Sequence, residues 1–177
     1  MKKSLLTIII IFVCILSFSA FKPVGDWKLF TSKEGGFSIE FPGQPEISVQ
    51  QDTSEAGVPF LINFASFEAS DNEVYMAGWI DMKNIYPEGK TLQQILEDSR
   101  DGATTSMNAT EVKTLATVTT GDPYIEFTFV SSNFVGKDRI YIINKVQYSI
   151  ISIFTSETGI KPSADKFIGS FKNIQGQ

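Results

Sequence analysis

The sequence has no histidine and a single cysteine, Cys14, among 177 residues. Without histidine there is no Ser-His-Asp triad, no imidazole metal site and no histidine pH switch. Cys14 lies inside an N-terminal apolar run, so the body of the chain has no thiolate nucleophile, zinc cage, iron–sulfur cluster or disulfide. Positive charge is scarce too. Against 20 Asp and Glu stand 15 Lys and Arg, and no basic footprint for nucleic acid is present. Repeats, low-complexity tracts and charge blocks are also missing. What is there, 42% hydrophobic and 20% charged residues, is the composition of a globular chain.

The N-terminus reads as an address. Lys2 and Lys3 precede an apolar block over residues 5–16, and Ser17 and Ser19 place small side chains at the −3 and −1 positions of a cut before Ala20. This layout predicts a signal peptide over 1–19, cleaved between Ser19 and Ala20, and an exported protein of the periplasm or extracellular space. The competing reading retains residues 5–21 as a membrane anchor, at the lower end of the range of about 17–25 residues for a spanning helix. No Lys or Arg cluster follows as a stop-transfer flank, and Val13 is not the small residue that precedes a lipidated cysteine. Cleavage removes Cys14, in keeping with an oxidising compartment, and leaves no expected membrane span. About 158 residues with a net charge of about −7 remain, enough for one domain that buries roughly 68–70% of its unfolded surface. Residues 20–26 are expected to be a tether and 27–177 that domain.

Strand-like alternation fills most of it. Residues 27–32, 37–41, 46–52, 58–68 and 73–82 form a first block, broken by Gly35-Gly36 and by Pro42-Gly43-Gln44-Pro45. In the run 73–82 both parities are partly apolar, the mark of a strand covered on both faces. Residues 111–120, 124–130, 137–144 and 146–154 form a second block, with a turn at Gly121-Asp122-Pro123 and a tight connection at Asn144-Lys145. Two segments have helical spacing. Thr91 and Gln94 make a capping box ahead of Leu92, Ile95 and Leu96, in a helix that stops at Gly102 or runs on toward Met107. In residues 161–171, Ala164, Phe167, Ile168 and Phe171 form one stripe behind Pro162. Strands, helix, strands, helix predict an α+β domain: an antiparallel sheet flanked by helices.

The run Gly36-Phe37-Ser38-Ile39-Glu40-Phe41-Pro42-Gly43-Gln44-Pro45 resembles the opening of a group of exported bacterial domains similar to the PsbP/DcrB/Mog superfamily. Ala164-Asp165-Lys166-Phe167-Ile168-Gly169-Ser170-Phe171-Lys172 resembles that group's last helix. The resemblance spans roughly residues 27–174. It implies an α/β/α sandwich and a non-catalytic interaction role, and it carries over no ligand residue. The chain lacks the lipobox cysteine of its DcrB-like relatives. On physical grounds, Phe37, Ile39, Phe41, Phe167 and Phe171 are core aromatics and aliphatics that hold a fold.

No catalytic, cofactor or metal residue is assigned, and no cofactor is expected. The candidates for a polar surface site are Glu126, Arg139 and Tyr141. Glu126 lies on the wet-looking parity of its strand with Tyr124 and Thr128, and a hairpin through residues 133–136 would bring Arg139 opposite it. The arrangement reads either as a pocket in which Arg139 orients an acid or, more plainly, as a cross-strand ion pair. The turns at 52–55 and 71–73 are oxygen-rich but lack the glycine and distant glutamate of a calcium loop. Trp27, Tyr75 and Trp79 are expected in the core. Together these readings describe an exported, non-enzymatic accessory or binding protein of the bacterial cell envelope with a protein partner there. The rival is a carboxylate-dependent hydrolase of envelope glycans or peptides, which needs two acids facing each other across a cleft. Calcium-dependent adhesion through the acidic turns is a third reading.

Overall fold

The computed structural model describes residues 25–54, 57–69 and 72–175. The expected signal peptide, the Ser19/Ala20 cleavage point, the alternative anchor and residues 20–24 of the tether lie outside the described residues. Alternating apolar side chains produce a first hairpin, β1 (Lys28–Ser32) and β2 (Phe37–Phe41), paired antiparallel. Its turn depends on Gly36, which sits at φ +67 with Gln175 so close that a Cβ would come within 2.4 Å of it. Phe37, Ile39 and Phe41 all point inward and are fully buried.

The strands β3 (Glu46–Thr53), β4 (Pro59–Ala69) and β5 (Glu73–Asp81) follow as a meander. Helix α1 (Leu92–Ser106) then begins with the expected capping box: the Thr91 hydroxyl accepts from the Gln94 N–H, and Gln94 Oε1 accepts from the Thr91 N–H at 2.8 Å. The helix does not stop at Gly102, which is buried, but runs on to Ser106. Next come β6 (Glu111–Val118), β7 (Tyr124–Val130), β8 (Phe134–Ile143) and β9 (Val146–Thr155). Strand β8 starts at Phe134, so residues 131–133, not 133–136, make its turn. Asn144 and Lys145, with φ of 51° and 62°, close the β8–β9 hairpin. The short helix α2 (Ser163–Gly169) and the two-residue strand β10 (Lys172–Asn173) end the fold.

Seven strands form one antiparallel sheet in the order β3-β4-β5-β9-β8-β7-β6. The other three form a second sheet, β1-β2-β10, in which β10 pairs with β2. The expectation of one sheet flanked by helices, an α/β/α sandwich, is therefore corrected. The described residues are 51% strand and 15% helix and form a β-rich pair of antiparallel sheets with two short helices. Two physical causes account for the difference. Alternation shows that 27–32 and 37–41 are strands but not which sheet they join, and their apolar side packs onto the large sheet rather than extending it. The segment 161–171 yields only the seven residues Ser163–Gly169 as helix, because the chain then turns into β10.

The large sheet has a core on each face. On one, Ala65, Phe67, Tyr75, Ala77, Trp79, Tyr148, Ile150 and Phe154 meet Phe37, Ile39 and Phe41 of the small sheet and Phe167 and Ile168 of α2. On the other, Ile125, Phe127, Phe129, Ile140, Ile151 and Ile153 meet Ile95 and Leu96 of α1. Helix α1 crosses β7 and β8, so the β4–β5 half of that face is not under the body of the helix. Phe64, Val74 and Met76 there are only half-buried.

Candidate functional site

The gap beside α1 is a pocket of about 540 Å³, counting its open mouth. Ile62 and Phe64 of β4, Met76 and Ile80 of β5 and Ile151 of β9 give it apolar walls, and Ala103, Ser106 and Met107 close it from the end of α1. Apart from Ser106, the polar side chains lining it sit together on β8 and β9: Asp138, Gln147 and Ser149.

Asp138 is 1% exposed. The strand register places it opposite Ile151 and diagonal to Ser149, whose hydroxyl lies 3.0 and 3.1 Å from the two carboxylate oxygens. Burial disfavours the charged carboxylate and pushes its pKa up to about 7, against the opposing hydrogen bonds from Ser149 and from the Arg139 and Ile150 backbone N–H groups. Among the described residues lining the pocket there is no Lys or Arg to neutralise it. Gln147 is held by α1. Two residues before Asp138 on the same face, Gly136 makes room for the adjoining core. A Cβ on it would stand 2.3 Å from the Phe129 ring and 2.8 Å from the Ser152 carbonyl oxygen.

Asp138 is not among the candidates that spacing points to, although its position leaves a signal in the sequence. On 137–143 the residues Asp138, Ile140 and Ile142 share one parity, so a carboxylate stands in an apolar row. A lone acid at a core-facing position needs either a partner or a purpose.

Glu126, Arg139 and Tyr141 lie on the opposite face of the sheet, joined in one network. Glu126 and Arg139 are direct cross-strand partners, and the Arg139 guanidinium donates to Glu126 through Nε and a terminal nitrogen. Its other terminal nitrogen donates to the Tyr141 hydroxyl at 3.2 Å, and the guanidinium lies 4.8 Å from the Tyr124 ring centre. Lys137 Nζ binds the second Glu126 oxygen at 2.9 Å and Asp165 of α2 at 2.6 Å. Glu126 is buried, not wet as its parity suggested, because these long cations and α2 cover it. Burial opposes the Lys137 charge, but hydrogen bonds to Asp165 and Glu126 outweigh it and raise the pKa. Desolvation raises Tyr141. With both carboxylate oxygens held by cations, Glu126 is poorly placed to take a proton from a substrate. The arrangement is the cross-strand ion pair, extended to pin α2 against the sheet.

Glu73 is likewise committed: it accepts from the Tyr75 hydroxyl at 2.5 Å and pairs with Lys161. Tyr75 also lies 2.8 Å from Ser163 at the start of α2, and desolvation with the Glu73 contact raises its pKa. Tyr75 and Trp79 are buried, whereas Trp27 is half-buried, edge-on to Tyr75 and under the Lys166 ammonium at 4.3 Å. Asp52 accepts from the Thr53 N–H in its own turn, while Glu55 and Asp71 lie outside the described residues. Among the described residues no three His, Cys, Asp or Glu side chains gather to hold a metal ion, and no helix is long and apolar enough to cross a membrane.

No protein-family model matches this chain, and no curated protein matches its sequence.

Proposed function

We propose that this chain is an exported, non-enzymatic binding protein of the bacterial cell envelope, and that the pocket beside α1 is its binding site. The observation that carries the reading is Asp138, a buried carboxyl in an apolar pocket that no Lys or Arg lines among the described residues. Apolar walls with a few convergent polar groups are the usual make-up of a ligand site. The signal-peptide layout of residues 1–19 supports export. A protein partner in the envelope is the remaining part of the proposal.

The hydrolase reading has less support. Asp138 and Glu126 project from opposite faces of one sheet, so they cannot flank the same scissile bond. The test is to isolate the protein from its own envelope and weigh it under native conditions. The expected result is a bound small molecule that an Ala103→Trp variant, with the pocket mouth filled, no longer carries. Turnover of envelope glycans or peptides by the purified protein would overturn the reading in favour of the hydrolase.

A further inference from the structure

The side chains around the pocket have a marked imbalance of donors and acceptors. The Ser149 hydroxyl proton is directed at Asp138, and the Ser106 hydroxyl donates to the Gly102 carbonyl at 2.9 Å. Gln147 Oε1 accepts from Ser99, leaving a lone pair, and the Gln147 amide is the only side-chain N–H donor among the lining residues. Toward the space itself the lining therefore offers mainly oxygen lone pairs and one carboxyl group. A carboxylate buried without a countercharge is unfavourable, and a ligand that brings the countercharge relieves that cost.

We propose that the occupant is a hydrophobic amine, an organic cation whose apolar body lies against Ile62, Phe64, Met76 and Ile151 and whose ammonium group pairs with Asp138. This rests on reading the pocket as the binding site. The ammonium supplies the missing charge and donates to Asp138 and to the lone pairs of Ser149 and Gln147. A fatty acid would set a second carboxylate against the first. A neutral alcohol would gain the apolar contacts and one hydrogen bond but bring no countercharge.

Asp138 is the only ionisable group among the described lining residues, since α1 contributes Ala103, Ser106 and Met107 there and β4, β5 and β9 contribute none. An alkylammonium stays charged throughout the pH range in which Asp138 ionises, because amines of this kind titrate near the lysine value of about 10.4. Binding should therefore strengthen as pH rises toward neutrality and level off above it.

The test is calorimetric titration of the full-length protein with octylammonium chloride, octanol and sodium octanoate. At pH 8 octylammonium should bind at least tenfold more tightly than octanol, with octanoate weakest. This advantage should shrink by about tenfold for each pH unit below the Asp138 pKa. Asp138→Asn should abolish the preference for octylammonium over octanol together with the pH dependence of that preference. The wild-type pH profile tests the same point should that variant not fold. Equal binding of amine and alcohol, or preference for octanoate, would overturn the amine assignment and leave the pocket reading standing. No binding of any of the three by folded protein would overturn both.

Discussion

The Ser99 hydroxyl of α1 donates to Gln147 Oε1 of β9 across 3.0 Å, in a place where neither residue reaches solvent. The same hydroxyl lies 2.8 Å from the Ile95 carbonyl, so one proton is shared between the helix and the sheet. This contact fixes the helix beside the pocket and holds the amide that lines it.

Ser99→Ala should therefore cost about 1–3 kcal/mol, because it leaves the buried Gln147 oxygen short of a donor. Urea unfolding measures the loss. Faster amide exchange at residues 95–106 than elsewhere would place the weakening at α1, whereas a uniform change would argue against a local anchor.

Stability should carry a pH signature from Asp138. Its pKa is raised from 3.8 to about 7 in the folded chain, so the native state holds a proton that the unfolded chain releases. The stabilisation is fully present below about pH 4 and is lost as pH rises through about 7. Asp138→Asn removes this dependence and should be more stable than wild type at pH 8 by on the order of a few kcal/mol, with a much smaller difference at pH 4. A variant-minus-wild-type difference that is the same at both pH values would contradict the burial argument.

Removing Glu126 should cost more than removing either cation, since Lys137 and Arg139 both converge on it. Glu126→Ala is expected to lose about 2–3 kcal/mol by leaving two partly covered cations facing each other. In a double-mutant cycle, Glu126→Ala with Arg139→Ala should cost less than the sum of the single changes. Strict additivity would mean that the pair contributes nothing.

Gly136→Ala should destabilise by about 1–3 kcal/mol, because the new methyl meets both the Phe129 ring and the Ser152 backbone. A thermal melt is sufficient to measure this. No change would imply that Phe129 can swing aside freely.

The sequence was most informative where a rule is local. The Thr91–Gln94 capping box, the alternation of 37–41 and 124–130 and the Glu126–Arg139 pairing each depend on spacing within a few residues or one hairpin. Sheet membership depends instead on which distant surface covers Phe37, Ile39 and Phe41, and alternation is silent on that. The Asp138 site was hidden for a related reason. Its walls come from β4, β5, β8, β9 and α1, and only the folded register brings Ile62, Met76, Ala103 and Ser149 around one carboxyl. Glu126 was read as wet because parity assigns a face without saying what lies on top of it.

The small sheet ties the two ends of the described chain together: β2 pairs with β10, and Glu40 N–H donates to the Ser170 hydroxyl across 130 residues of sequence. During synthesis the hairpin of β1 and β2 is made before the other described strands and receives its last neighbours only when α2 and β10 emerge. Until then three large apolar side chains wait in an unfinished layer, sticky to any other nascent chain. A premature stop codon before residue 163 would thus do more than shorten the protein; it would leave β2 without its β10 neighbour and Phe37 and Phe41 without the α2 side of their cover.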